Sequence, residues 1–250
     1  MSSRVIAIIQ ARMGSTRLPN KSMLDLAGAP LVGRIIERLQ RTSVLSEIIL
    51  AIPDSPENEV LSDLAQEFGA TVFRGSEDNL LDRYYQAARK VKAEVVVRIP
   101  ADNPLSEPEE VDKIVNYHLN SKNSGFTSNL AEIFNSGYPD GIGAEVFNMD
   151  TLEELWRNEQ DPRKLEHVHL NFFDYSSQKP VNLEKFPVKT LVCPPEYARP
   201  DLVLDVNSWD QYRFIRKIYS SLYRDNPCFG IRQIINWVNT NSMNTRDSDV

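Results

Sequence analysis

The sequence predicts an α/β fold, with a mainly parallel central sheet, helices on both faces and a small inserted lobe. Three observations predict it. Short apolar runs rich in β-branched residues recur through residues 1–120. Amphipathic patterns at helical spacing separate them. The links between the two kinds of segment are short, so the chain forms βαβ crossovers, which require parallel strands covered on both faces.

Residues 5–10, VIAIIQ, read as a buried strand, because an unbroken apolar run is hidden on both faces. A polar loop follows to Asn20. Residues 31–41 carry Leu31, Ile35 and Leu39 on one helical face. Residues 47–52 form a second strand. Ser55 and Pro56 read as a cap and first position of a helix ending near Phe68. Residues 71–74 are a third strand, and 79–92 a helix with Leu81, Tyr84, Tyr85 and Ala88 inward. Residues 94–99 are a fourth strand, and Ser106 with Glu109 reads as a capping box opening the next helix.

The second half is less regular. Residues 123–146 hold Asn, Gly and Pro turns around short strands. Residues 150–175 predict two short helices, with Asp150 and Glu153 in a capping arrangement. Strands are expected at 188–192 and 202–206. Ser208 with Gln211 caps a helix bearing Tyr212, Ile215, Ile218, Tyr219 and Leu222, and 229–238 form a last helix. Residues 1–239 read as one domain, with 123–175 as the inserted lobe. Residues 240–250 read as a polar, disordered tail.

A chain of 250 residues with 41% hydrophobic and 25% charged residues can bury one sizeable core. The formal net charge of −7 disfavours general nucleic-acid binding, because phosphate backbones are repelled. Cys193 and Cys228 lack metal-ligand spacing and read as reduced thiols. No stretch is long enough to cross a bilayer, so a soluble cytoplasmic protein is expected, with no membrane partner.

The chemistry concentrates in Gln10-Ala11-Arg12-Met13-Gly14-Ser15-Thr16-Arg17-Leu18-Pro19-Asn20-Lys21. This loop follows the first strand, where open α/β sheets place ligands. Its backbone amides, two hydroxyls and three cations suit the oxygens of a polyphosphate. It is neither a Walker A sequence nor a Gly-x-Gly-x-x-Gly fingerprint. The remaining reading is a solvated basic loop. Asp102, just past a buried strand, is on the residues alone either a magnesium ligand or a turn residue before Pro104.

The loop closely resembles the signature of the cytidylyltransferases that make CMP-activated sugar acids, above all the branch named for spore-coat polysaccharide biosynthesis. The resemblance runs from about Val5 to about Tyr219. Further matching segments are Phe73-Arg74-Gly75-Ser76-Glu77-Asp78-Asn79, Arg98-Ile99-Pro100-Ala101-Asp102-Asn103-Pro104-Leu105, Tyr138-Pro139-Asp140-Gly141, Glu145-Val146-Phe147, and Asp161-Pro162 with Glu166-His167-Val168.

The resemblance implies a Rossmann-like nucleotidyltransferase fold and transfer of CMP from CTP to an acidic acceptor, with release of pyrophosphate. It implies Arg12, Lys21 and Asp102 as catalytic residues. The nucleotide would meet Gln10, Ala11, Arg12, Gly14, Ser15, Arg17, Lys21, Ala51, Ser76 and Arg98. Mg²⁺ would be held by Asp102 with either Asp205 or Asn207, since Asn207 stands where relatives carry an Asp. Asp140, Glu145, Arg163, Glu166 and His167 are the polar candidates for the acceptor, although Arg163 also suits a plain surface role and His167 a plain hydrogen bond to Glu166. A homodimer through residues 123–175 is implied as well.

Many relatives read Gly-Leu-Asp-Val-Glu-Val-Phe where this chain has Gly141-Ile142-Gly143-Ala144-Glu145-Val146-Phe147. Gly143 in place of an acid predicts an acceptor pocket with room for a different or more anionic acceptor. The rivals are a non-sugar phosphorylated or carboxylic metabolite as acceptor, a different nucleotide as donor, and an inactive nucleotide-binding regulatory protein.

Overall fold

A computed structural model describes residues 3–122 and 124–246. In chain order the strands are β1 (Val5–Gln10), β2 (Asp25–Leu26), β3 (Ala29–Pro30), β4 (Glu47–Pro53), β5 (Thr71–Gly75), β6 (Val95–Pro100), β7 (Phe126–Ser128), β8 (Glu145–Asn148), β9 (Phe173–Asp174), β10 (Lys179–Pro180) and β11 (Val188–Lys189). The helices are α1 (Leu31–Leu39), α2 (Glu59–Glu67), α3 (Leu80–Lys90), α4 (Pro108–Asn120), α5 (Met149–Asn158), α6 (Pro162–Glu166), α7 (Trp209–Leu222) and α8 (Ile231–Arg246).

Seven strands form the central sheet in the order β11-β7-β8-β6-β1-β4-β5. Strand β1 lies between β4 and β6, parallel to both. Strand β8 runs antiparallel to its neighbours β6 and β7, and the other pairings are parallel. The predicted fold class is therefore the observed one.

Alternation along β1 explains the two-sided core. Val5, Ala7 and Ile9 face a cluster that includes Leu31, Leu61, Val111, Ile215 and Ile234, from α1, α2, α4, α7 and α8. Ile6 and Ile8 face the other side, against Leu81 and Tyr84 of α3 and Leu152 of α5. Both sets are buried, which is why β1 is apolar at every position but its last. Each buried Val or Ile among them contributes about 1.5–3 kcal/mol of burial.

Several local expectations give way to tertiary contacts. The Ser106 box does not form: the Ser106 hydroxyl donates to the Asn103 carbonyl, and Glu107 precedes α4. Asp150 does not cap, because α5 begins directly from β8 with Asn148 at the boundary. Strand pairing ends at Lys189 rather than Val192.

Residues 202–206 keep the predicted alternation, with Leu202, Leu204 and Val206 buried. They form one bridge rather than a strand, because their neighbours are loops. Their backbone bonds reach Asp140 and the Asp102 carbonyl instead. Residues 240–246 continue α8, since extending an existing helix costs far less than starting one. The rest of the expected disordered tail, 247–250, lies outside the described residues, as does Asn123.

His118 ties α4 to the sheet. Its Nδ1 is 2.8 Å from Thr127 Oγ1 and its Nε2 is 3.2 Å from Asn148 Oδ1. Burial pulls its pKa below the ordinary histidine value. The folded state thus resists protonation more than the unfolded chain does. The stability His118 contributes is complete above pH ~6.5 and declines as pH falls below it. We expect the melting-temperature gap between wild type and His118→Asn to narrow as pH drops from about 7 to about 5; thermal melts across that range check it.

Candidate active site

A cleft of about 400 Å³ opens at the carboxyl ends of β1 and β6. Its first wall is the loop after β1. The Ala11 amide donates to the Ala51 carbonyl at 3.2 Å, and the Met13 amide to Asn58 Oδ1 at 2.9 Å. Leu18 is fully buried and pins the far end of the loop. Asn20, in the left-handed region at φ 56°, turns the chain into the short helical turn Lys21–Met23. Arg12, Ser15, Arg17 and Lys21 consequently line the cleft.

The opposite wall carries acids. Asp102 stands two residues beyond β6, and its carbonyl accepts from the Val206 amide at 2.8 Å. That bond brings the 202–206 segment alongside. Lys21 Nζ lies 3.2 Å from Asp102 Oδ2 and 3.2 Å from Asn207 Oδ1. Asn207 Nδ2 donates to Asp205 Oδ2 at 2.5 Å, and Gln211 Nε2 to Asp205 Oδ1 at 3.0 Å. Both Asp205 and Asn207 line the cleft.

Asp140 faces the same space. Burial, and then repulsion from Asp205 and Asp102, pushes its pKa up to about 7. Burial and the Asp102 charge also raise Asp205. Among the described residues no three His, Cys, Asp or Glu side chains close into a ready-made metal cage. The donor set still fits magnesium, which takes one or two carboxylates and completes its shell with phosphate oxygens and water. That Asp102 and Asn207 oxygens already converge on one cation, the Lys21 ammonium, is the geometric counterpart.

Of the other acceptor candidates, Glu145 lies on the buried floor, with Oε2 2.6 Å from Arg98 Nη1. Burial opposes the Arg98 charge most strongly, but the Glu145 carboxylate, with Tyr84 and Tyr175, more than offsets it and holds the guanidinium protonated. Arg98, grouped above with the nucleotide residues, thus sits beside an acceptor candidate. Glu166 and His167 lie at the mouth, where Glu166 Oε1 is 3.7 Å from Arg12 Nη2.

Four candidates do not line the cleft. Gly14 is exposed at the loop tip, and Ala51 is fully buried beneath it. The Ser76 hydroxyl accepts from the Asn79 amide at 3.0 Å. Arg163 points to solvent, its side chain 82% exposed and 3.2 Å from Asp161. Gly143 opens no room either: a Cβ there would overlap both the Asn129 carbonyl and its side-chain oxygen. The glycine exists because Asn129 packs against the backbone, where it bonds the Ala144 amide at 3.0 Å.

The sequence reading missed Arg83, Glu77, His169 and Tyr175, all of which line the cleft. Arg83 donates to the Ser76 carbonyl at 3.1 Å, and burial lowers its pKa to about 10. An arginine among the inward residues of α3 was the available signal, since such a charge is buried for a partner. His169 is held down at about 4 by burial.

Comparison with known proteins decides the family. The model for the cytidylyltransferase family matches residues 6–241. This chain belongs to the cytidylyltransferase family. It is a nucleotidyltransferase.

Among its relatives, an uncharacterized protein of Methanocaldococcus jannaschii is 34% identical over 242 residues, covering 95% of this chain and 91% of that one. The spore coat polysaccharide biosynthesis protein SpsF of Bacillus subtilis is 28% identical, with 95% of each chain covered. A 3-deoxy-manno-octulosonate cytidylyltransferase of Geobacter sulfurreducens is 34% identical over 113 residues, 44% of each chain. A cytidylyltransferase structure from Leptospira borgpetersenii superposes with a TM-score of 0.84 at 25% identity, with 96% of each chain covered.

The crowding of acids has a consequence for stability. A carboxyl whose folded pKa is raised stabilises the fold below its unfolded value near 3.8, and loses that contribution as pH rises through about 7. Asp140→Asn should therefore raise the melting temperature of metal-free protein at pH ~8, with the gain vanishing near pH ~4; melts in chelator at both pH values check it.

Proposed function

We propose that this cytidylyltransferase transfers CMP from CTP to an acidic acceptor, a sugar acid, in surface-polysaccharide or glycoconjugate biosynthesis, and that it requires Mg²⁺. The observation that carries the reading is the convergence of Lys21 with Asp102 and Asn207 at one end of a cleft lined by Arg12 and Arg17. A polyphosphate needs fixed cations on one side and a cation held by acids on the other.

In the proposed step an acceptor oxygen attacks the α-phosphorus of CTP in line. The new O–P bond forms as the bond to pyrophosphate breaks, and the acceptor's proton leaves to solvent or to a nearby base. Arg12, Arg17 and Lys21 hold the triphosphate and neutralise the departing pyrophosphate. His167, at the mouth, is positioned to take the proton. Held by Asp102 with Asp205 or Asn207, Mg²⁺ supplies charge for phosphate oxygens. No side chain bonds covalently to the substrate, so catalysis lies in positioning and charge.

The sugar-acid reading draws on the named activities of the relatives, one of which acts in spore-coat polysaccharide biosynthesis and another on 3-deoxy-manno-octulosonate. Free Cys193 and Cys228 favour a reducing, cytoplasmic setting, and among the described residues no helix is long and apolar enough to cross a membrane. A homodimer through the inserted lobe is the expected assembly, with Phe134 exposed there.

Pyrophosphate release from CTP with a panel of sugar acids, 3-deoxy-manno-octulosonate among them, tests the reading. Activity should need Mg²⁺ and vanish in chelator. Asp102→Ala and Lys21→Ala should each lose roughly a hundredfold or more in kcat. Full activity in either variant would remove the proposed site.

A further inference from the structure

The inner end of the cleft has a chemistry that the triphosphate does not use. Strand β1 divides the sheet, with β4 and β5 on one side and β6 and β8 on the other. The nucleotide loop leans on the first side, through Ala51 and Asn58. On the second side Arg98 and Glu145 face one another across the antiparallel β6–β8 register and form their ion pair. Both are almost wholly buried, yet both line the cleft.

Their hydrogen bonding is incomplete. Among the described residues no hydrogen bond reaches Arg98 Nε, Glu145 Oε1 or Nδ1 of His169, which lines the same floor. Buried polar atoms left in this state are costly, so a group that satisfies them is bound with high selectivity.

The pair as a whole is neutral, and that decides what it fits. A carboxylate or phosphate placed there meets the Glu145 carboxylate. A cation meets the Arg98 guanidinium. A hydroxyl does what neither can, donating to Glu145 Oε1 while accepting from Arg98 Nε–H. His169, kept neutral near pH 7 by burial, adds another uncharged partner. The pair is held on strands rather than loops, which makes the floor rigid.

We infer that Arg98 and Glu145, with His169 beside them, form a neutral hydrogen-bonding floor that reads hydroxyl groups, selecting a polyhydroxylated acceptor over a bare or phosphorylated acid. The inference rests on the acidic-acceptor reading above and deepens it: the polyol end of the acceptor lies on the floor. Arg98 and Glu145 thereby act as specificity residues rather than as nucleotide ligands.

The test compares two sets of acceptors. One is a panel of polyhydroxylated sugar acids, 3-deoxy-manno-octulosonate among them. The other is their ring analogues that keep the carboxylate and the anomeric hydroxyl but lack the remaining hydroxyls. Wild-type protein should prefer the hydroxylated member of a pair by roughly a hundredfold or more in kcat/KM. The double variant Arg98→Met with Glu145→Leu removes the pair without stranding a lone buried charge. It should lose most of that preference while its KM for CTP stays unchanged. His169→Phe, a milder change, should cut the preference by roughly threefold or more, and it carries the test if the double variant does not fold.

A role in stability alone would lower turnover of both members alike and leave their ratio intact. An unchanged ratio in a folded variant overturns the inference, and so does a raised KM for CTP or equal use of stripped and hydroxylated acids by wild type. Absence of pyrophosphate from wild type with every acid overturns the parent reading, and this one falls with it.

Discussion

Lys21 Nζ stands 3.2 Å from oxygens of two residues that are 81 and 186 positions away in the chain. Much of the architecture serves that convergence. The sheet places the loop after β1 and the residues after β6 side by side, because β1 and β6 are parallel neighbours in register from Val5 to Gln10. The Val206–Asp102 backbone bond then draws in the third contributor. Parallel pairing is what brings the carboxyl ends of both strands to one edge, and a ligand crevice follows there.

The same convergence leaves the site electrostatically strained. Asp102, Asp140 and Asp205 crowd together, and Asp102 forms the ion pair with the Lys21 ammonium. Raised carboxyls mark a place where the fold tolerates instability for function. On the opposite wall the Arg12 side chain makes a loose, exposed contact with Glu166. A surface ion pair of that kind is worth little and yields readily to a stronger anion. One wall gathers excess negative charge and the other holds weakly committed positive charge, which together suit a cation-bearing polyphosphate.

Beneath them the floor is built differently. Arg98 and Glu145 compensate each other at 2.6 Å inside the protein, so this part of the cleft carries buried polarity without net charge. The cleft is thus graded, from charged walls at the Lys21 end to a neutral, rigid ion pair at the inner end. Gly143 belongs to the support for this region: its missing side chain lets Asn129 hold the backbone just before Glu145.

The sequence by itself determined the parallel sheet, the alternation of its strands and helices through α4 apart from the short β2–β3 pair, the cationic loop and the lone acid after β6. Those features are written locally, in apolar periodicity and in clustered charge, and β1 and β6 begin or end within a residue of where their patterns place them. Tertiary structure alone decided the rest. Whether Asp205 or Asn207 reaches the cleft depends on a backbone bond to Asp102, and the answer is both. Arg83 joins the site from α3, where only its inward place on the helix hinted at it, and His169 joins through a fold-back that no local pattern encodes. Gly143 looked like an opening and is instead a close contact, since the space a missing side chain leaves is set by whatever packs against it.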